Sequence, residues 1–204
     1  MRSPRAVLWD VGNVIVGWSP RRLYEKLFEE PVACDRFLSS VCTPAWHVEH
    51  DRGVSFADNA APLIARHPEH EPHIRAWGDR FIEMVGPVIG ETESAMHALA
   101  AAGVPQYGLT NMPSEAWPGV QTLSPAFGHL ADTIVSGDEK LVKPDPAIYR
   151  VVLARTGLDP QDILFFDDSA ANIEAAAALG FHVHRFEDAK AVRPALISHG
   201  LLEA

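Results

Sequence analysis

Three short apolar runs in this chain of 204 residues stop abruptly at polar side chains: "AVLWD" (6–10), "VPQYGLTN" (104–111) and "ILFFDD" (163–168). Taking an unpaired carboxylate out of water costs several kcal/mol, so a buried strand tipped with Asp10 or Asp167 needs a partner for that charge. Helical patterns separate the runs. "ETESAMHALAAAG" (91–103) has apolar residues at helical spacing and Gly103 as a stop. "PDPAIYRVVLARTG" (144–157) offers Asp145 as N-cap, Pro146 at the first helical position and Gly157 as stop. "SAANIEAAAALG" (169–180) is an alanine-rich helix with Ser169 as its cap. Strand and helix in alternation imply a parallel sheet with helices on both faces. Its predicted strands are 6–10, 104–110, 133–136, 163–167 and 181–185. Such sheets hold ligands beyond the carboxyl ends of their strands, where Asp10, Thr110, Asn111, Asp167 and Asp168 all fall.

Residues 18–86 read differently. Ser19 and Pro20 open a helical pattern whose Leu23, Tyr24, Leu27 and Phe28 share a face, and further helical pieces follow at "CDRFLSSV", "SFADNAAPLIARH" and "HIRAWGDRFIEMV". No strand-like alternation stands out there. The expected organisation is a core made of 1–17 and 87–204, with an all-helical insert at 18–86.

Charge and cysteine content narrow the function. With 27 acidic against 17 basic residues the net charge is −10. A nucleic-acid partner requires a basic surface, and so does an anionic membrane. Cys34 and Cys42 are too few for a disulfide framework and lack metal-knuckle spacing, which suits a reduced, cytoplasmic setting. Arg2 and Arg5 precede an apolar stretch, but Asp10, Gly12 and Asn13 interrupt it and no cleavage-site pattern follows, so no signal peptide is expected.

Three carboxylates at one sheet edge repel one another unless a cation sits among them. Asp10 and Asp168, with main-chain carbonyls nearby, make a hard-oxygen site suited to Mg²⁺. Lys143 in "KLVKPDP" reaches the same edge, and Thr110 adds a hydroxyl. Such a set suits a phosphoryl group, whose transfer depends on positioning and charge neutralisation.

The motifs "LWDVGNV", "GLTN", "VKPDP" and "FFDDSAAN", in that order and spacing, resemble those of the haloacid dehalogenase superfamily over essentially the whole chain. The resemblance implies a Rossmann-like doubly wound core with a helical cap domain after the first strand. It implies Asp10 as nucleophile, Thr110 as phosphate holder, and Lys143 as the group that steadies both nucleophile and phosphoryl charge. The main chain at Val11 and Gly12, with Thr110, Asn111 and Lys143, would contact a small phosphorylated substrate. Mg²⁺ would be held by Asp10, the Gly12 carbonyl and Asp168, with Asp167 direct or acting through water.

Gly12 departs from the pattern. Phosphatases of the superfamily commonly carry a second aspartate there as general acid and base. A glycine keeps the carbonyl but loses that group, which favours substrates whose leaving group departs readily, or an acid recruited from the cap. "DVGNVIV" is similar to a subgroup that includes bacterial glucose-1-phosphate phosphatases. Two rivals follow from the same residues. A 2-haloacid dehalogenase uses the same aspartate and lysine without metal, yet has no use for Asp167 and Asp168. A non-catalytic binding or regulatory member would exploit the loss at Gly12, against an otherwise complete set. Asn172 is expected to brace the loop after Asp168. "HVEHD" (His47, His50, Asp51) and "HPEHEPH" (His67, His70, His73) read as solvated surface, Trp46, Trp77 and Phe81 as cap core, and Arg52 or Arg80 as a contact for an anionic substrate.

Overall fold

The computed structural model describes residues 3–203. Strand β1 (Ala6–Trp9) is completely buried and lies in the middle of the sheet. Before the next sheet strand come β2 (Val16–Trp18), α1 (Arg21–Tyr24), α2 (Pro31–Ser40), α3 (Pro44–Asp51), α4 (Phe56–Arg66), α5 (Glu71–Asp79) and β3 (Val85–Val88). The chain then alternates through α6 (Gly90–Ala101), β4 (Gln106–Thr110), α7 (Trp117–Val120), β5 (Leu130–Val135), α8 (Ser136–Glu139), α9 (Pro146–Thr156), β6 (Ile163–Asp167), α10 (Ala170–Ala178), β7 (His182–Arg185) and α11 (Val192–Ser198).

The five sheet strands run parallel in the order β5-β4-β1-β6-β7. The chain builds outward from β1 through β4 to β5, then returns to the other side for β6 and β7. That reversal puts the ligand-holding crevice at the carboxyl ends of β1, β4 and β6. All five predicted strands are present, with edges shifted by up to three residues; β5 begins at Leu130, and Ser136 already starts α8. Asp145 caps α9 by accepting from the Ala147 N–H, and Gly157 ends it at φ +67°.

The segment between β2 and β3 is helical, as its apolar spacing suggests, but three features depart from the sequence reading. Its two ends form an antiparallel ribbon, β2 with β3, so Trp18 and Val85 belong to strands. Three- or four-residue strands rich in glycine show no alternation to detect. Helix α1 is a single turn, not the longer helix expected over Leu23–Phe28. Helix α3 had not been expected at all, although Thr43 caps it and Pro44 opens it.

Two apolar layers sandwich the sheet. On one face Trp9 stacks on Phe166, with ring centroids 4.7 Å apart; on the other, Leu8 and Phe165 pack with Tyr149 and Ile148 of α9. Trp9 also donates its indole N–H to Gln106 Oε1 at 3.0 Å, and Gln106 Nε2 donates to the Met96 carbonyl. A buried glutamine thus ties β1, β4 and α6 together. Gln106→Leu should lower stability by about 1–3 kcal/mol, because it orphans the buried indole N–H. Urea unfolding would show this as a lower midpoint with an unchanged slope.

Candidate active site

Lys143 lies in the loop before α9, and its side chain is almost wholly buried. Its Nζ stands 2.8 Å from Asp10 Oδ1 and donates to Asp167 Oδ2 at 2.7 Å and to the Leu109 carbonyl at 3.1 Å. The tips of β1, β4 and β6 therefore meet on one ammonium. Burial by itself would lower the Lys143 pKa, but Asp10 and Asp167 overcome it and hold the group above its ordinary value. Asn111 fixes the lysine from behind: its Oδ1 accepts from the Lys143 N–H at 2.8 Å and its Nδ2 donates to the Lys143 carbonyl at 3.0 Å.

Asp167 is saturated. Oδ1 accepts from the Ser169 N–H and from Asn172 Nδ2, while Oδ2 accepts from Lys143 and again from Asn172. Asn172 thus braces the carboxylate, in keeping with its expected place. Asp168 is more open, accepting from Asn13 Nδ2 at 3.3 Å. Asn13 sits at φ +58°, a left-handed conformation asparagine tolerates, and its Oδ1 accepts from the Trp18 N–H. That residue, which the sequence shows only as an interruption of the apolar stretch, aligns Asp168 and the end of β2 together.

One oxygen each from Asp10, Asp167 and Asp168 lies within 4.8 Å of the others. Three carboxylates share one ammonium, so negative charge is in excess. At Asp10, burial above all, opposed by Lys143 and reinforced by Asp167, pushes the carboxyl up to about 7. A divalent cation among these oxygens would restore the balance, and the hard-oxygen donor set fits Mg²⁺. Val11 is buried, with its N–H turned onto Asp10 Oδ1 at 2.7 Å. Gly12 lies open to the cavity next to it.

The cavity in front of Asp10 measures about 220 Å³. Thr110, Asn111, Lys143 and Asp168 line its floor; Trp18, His47, Asp51, Phe81 and Val85 line its roof. Trp18 stacks on His47 and Phe81, with centroids 5.4 and 4.9 Å apart. Neither arginine expected to greet an anion is among the lining residues: Arg52 pairs with Glu49, and Arg80 with Glu83.

The sequence reading of "HVEHD" as solvated surface is overturned. His50 and Asp51 are buried in α3, and the His47 side chain is largely so. His50 is structural, receiving Asn59 Nδ2 on Nε2 and facing the Val54 carbonyl with Nδ1. His67 and His70 are about one-third exposed at the turn before α5, while His73 stacks on Phe28 at 4.5 Å. A signal for α3 was present: Thr43-Pro44 is a start sequence, and His47 and Asp51 share one face at i, i+4. Trp77 is buried in the helical segment, and Phe81, though also buried, borders the cavity.

The model of the haloacid dehalogenase-like hydrolase family matches residues 4–180. The chain belongs to that family. Among curated relatives of this haloacid dehalogenase-like hydrolase, a phosphoglycolate phosphatase of Yersinia pseudotuberculosis is 29% identical over 190 residues, spanning 88% of this chain and 79% of its own. A phosphorylated carbohydrates phosphatase of Thermotoga maritima is 40% identical over 67 residues, which is 30% of this chain and 31% of the relative. A family enzyme of Bacteroides thetaiotaomicron, solved with magnesium and inorganic phosphate, superposes with a TM-score of 0.69 at 19% identity, covering 90% of this chain and 94% of the other. The L-2-haloacid dehalogenase of Xanthobacter autotrophicus superposes at 0.65 with 14% identity, over 96% and 83% of the two chains. Both likenesses are of fold.

Asp51 is costly to keep. Burial, opposed by Lys143 and reinforced by Asp10, pushes its carboxyl up from 3.8 to about 7. The other titratable group beside it is His47 on its own helix, 3.7 Å away. Because the folded state holds this proton more tightly than the unfolded chain, the group favours folding at low pH, and that contribution is lost as pH rises towards 7. Asp51→Asn in metal-free protein should therefore raise the thermal midpoint relative to wild type at about pH 8, and change it little near pH 4. Calorimetry at the two pH values checks the sign.

Proposed function

We propose that this hydrolase is a Mg²⁺-dependent phosphohydrolase acting through an aspartyl-phosphate on a small phosphorylated metabolite with a neutral organic part, such as a sugar phosphate. The observation that carries the reading is the Lys143 ammonium held between Asp10 and Asp167, with Asp168 left over beside it. A metal-free displacement of halide has no work for the extra carboxylate. The phosphatase relatives support the same choice.

Asp10, Asp168 and the Gly12 carbonyl would hold the cation. Asp167, already saturated, would act through water while keeping Lys143 in place. Mg²⁺ bound there would neutralise charge on the phosphoryl oxygens and favour the ionised form of the Asp10 carboxylate. Asp10 attacks phosphorus, and its oxygen takes the place of the departing alkoxide. Lys143 and the Thr110 hydroxyl hold the phosphoryl oxygens, and Asn111 acts by holding Lys143. Water then cleaves the aspartyl-phosphate and restores Asp10. Residues 18–86 act as a cap that excludes bulk water and selects the substrate.

The preference for a neutral organic part comes from the roof. Trp18, Phe81 and Val85 present apolar surface, and the roof's two titratable side chains, His47 and Asp51, supply no cation. Among the described lining residues Lys143 is the one cation, and it already serves two carboxylates. A second anionic group, such as the carboxylate of phosphoglycolate, would meet no counter-charge. Aromatic faces suit the C–H surface of a sugar ring.

The test is hydrolysis of p-nitrophenyl phosphate with Mg²⁺ and with excess EDTA, alongside halide release from 2-chloropropionate. Turnover that needs Mg²⁺ and disappears in Asp10→Asn is expected. Chloride release insensitive to EDTA would identify a dehalogenase instead, and silence with both substrates would favour a non-catalytic member. In a panel of phosphate esters, glucose 6-phosphate should exceed phosphoglycolate in kcat/KM.

A further inference from the structure

Gly12 leaves the core without an acid beside the leaving group, and two roof residues present a titratable atom to the cavity in its place. They are His47 and Asp51, four residues apart on α3. The structure distinguishes between them. His47 is buried against Trp18, Trp77 and His50, and burial with the neighbouring His50 pushes its pKa down to about 3, so the imidazole is neutral and has no proton of useful acidity. Asp51 Oδ1 is buried with no hydrogen-bond partner among the described residues, and His47 Nε2 stands 3.7 Å away. An unpartnered carboxyl oxygen on the wall of a reaction cavity is costly in stability. Its environment keeps it protonated near neutral pH.

The backbone beyond Asp51 fixes its position over the core. Gly53 sits at φ +90°, and a Cβ there would come within 2.5 Å of the Gly137 carbonyl at the start of α8. The end of α3 therefore rests directly on the β5–α8 corner. Nearby, the Phe56 N–H donates to Glu115 Oε2 at 2.7 Å, which ties the start of α4 to the loop before α7. Asp51 is thus held to the core from the cap side by main-chain contact.

We propose that Asp51 is the general acid and base of the reaction, taking from the cap the role that Gly12 cannot fill. The proposal rests on the phosphohydrolase reading above. When Asp10 attacks phosphorus, the bond from phosphorus to the leaving oxygen breaks and its electron pair stays on that oxygen, which receives the Asp51 carboxyl proton. In the second step the Asp51 carboxylate takes a proton from water as the water oxygen bonds to phosphorus. The bond from phosphorus to the Asp10 oxygen breaks, and both aspartates return to their starting states.

The two steps can be separated by the leaving group. Nitrophenolate departs without a proton, whereas the alkoxide of glucose 6-phosphate requires one. In rapid-quench kinetics, Asp51→Asn should give a stoichiometric burst of nitrophenolate followed by turnover slowed by about 10²-fold or more, as the phosphoenzyme waits for a base. With glucose 6-phosphate the same variant should show no burst and a kcat lower by about 10²–10⁴-fold. Metal-free Asp51→Asn should be at least as thermostable as wild type, which a merely structural aspartate would not allow. A Cβ at Gly12 meets only Trp18 Cβ, at 3.7 Å, so adding Gly12→Asp to Asp51→Asn should restore glucose 6-phosphate turnover. Activity of Asp51→Asn within threefold of wild type on both substrates would overturn the proposal, as would loss of the burst together with a lowered thermal midpoint. Wild-type protein that releases no nitrophenolate with Mg²⁺ would instead remove the phosphohydrolase reading, and this proposal with it.

Discussion

Everything at this sheet edge depends on one buried ammonium. Lys143 lies between two carboxylates from neighbouring strands and also donates to a carbonyl on a third. Removing one member of a buried ion group leaves an uncompensated charge, which is far more damaging than the group's net contribution to stability. Its neighbours are arranged accordingly. Asn111 clamps the lysine's main chain, Asn172 and the Ser169 N–H hold Asp167, and Asp10 and Asp168 keep oxygen atoms turned toward the cavity. A parallel sheet with both faces covered supplies the rigid frame, and the reversal of strand order at β1 opens the space in front of it.

The helical segment closes over the sheet edge, and Trp18, His47, Asp51 and Phe81 border the cavity from that side. Asn13 links the loop after β1 to Asp168 on one side and to Trp18 on the other, so the end of β2 is anchored beside the acidic cluster. From the far end of the cavity, α3 comes down onto the β5–α8 corner through Gly53. The roof is aromatic and, among the described lining residues, adds no lysine or arginine to the cavity.

How much was readable in the sequence follows from how far apart the determining residues lie. Asp10, Thr110, Lys143, Asp167 and Asp168 could be read because each sits at the end of an apolar strand or before a proline-opened helix, and both patterns are local. Asp145 and Gly157 were readable as caps for the same reason. The roof was not. His47 and Asp51 look like any charged surface stretch until Trp18, Trp77 and Phe81 close over His47 and the end of α3 settles on the β5–α8 corner, contacts that lie many residues distant. Trp18 and Val85 stand in strands too short to show a period. Arg52 and Arg80 looked free in sequence, but each has an acid three residues away that takes its charge. Asn111 is expected to touch substrate and does line the cavity, while its two amide atoms also hold the Lys143 backbone, a pairing across 32 residues that no local pattern shows.

The measurement that tests the central claim most directly is acid-quench trapping of the enzyme during turnover of p-nitrophenyl phosphate with Mg²⁺, followed by peptide mapping. The account predicts a hydroxylamine-labile phosphate on the peptide that carries Asp10, absent in Asp10→Asn. A phosphate found on any other residue, or turnover that proceeds undiminished in Asp10→Asn, would contradict it.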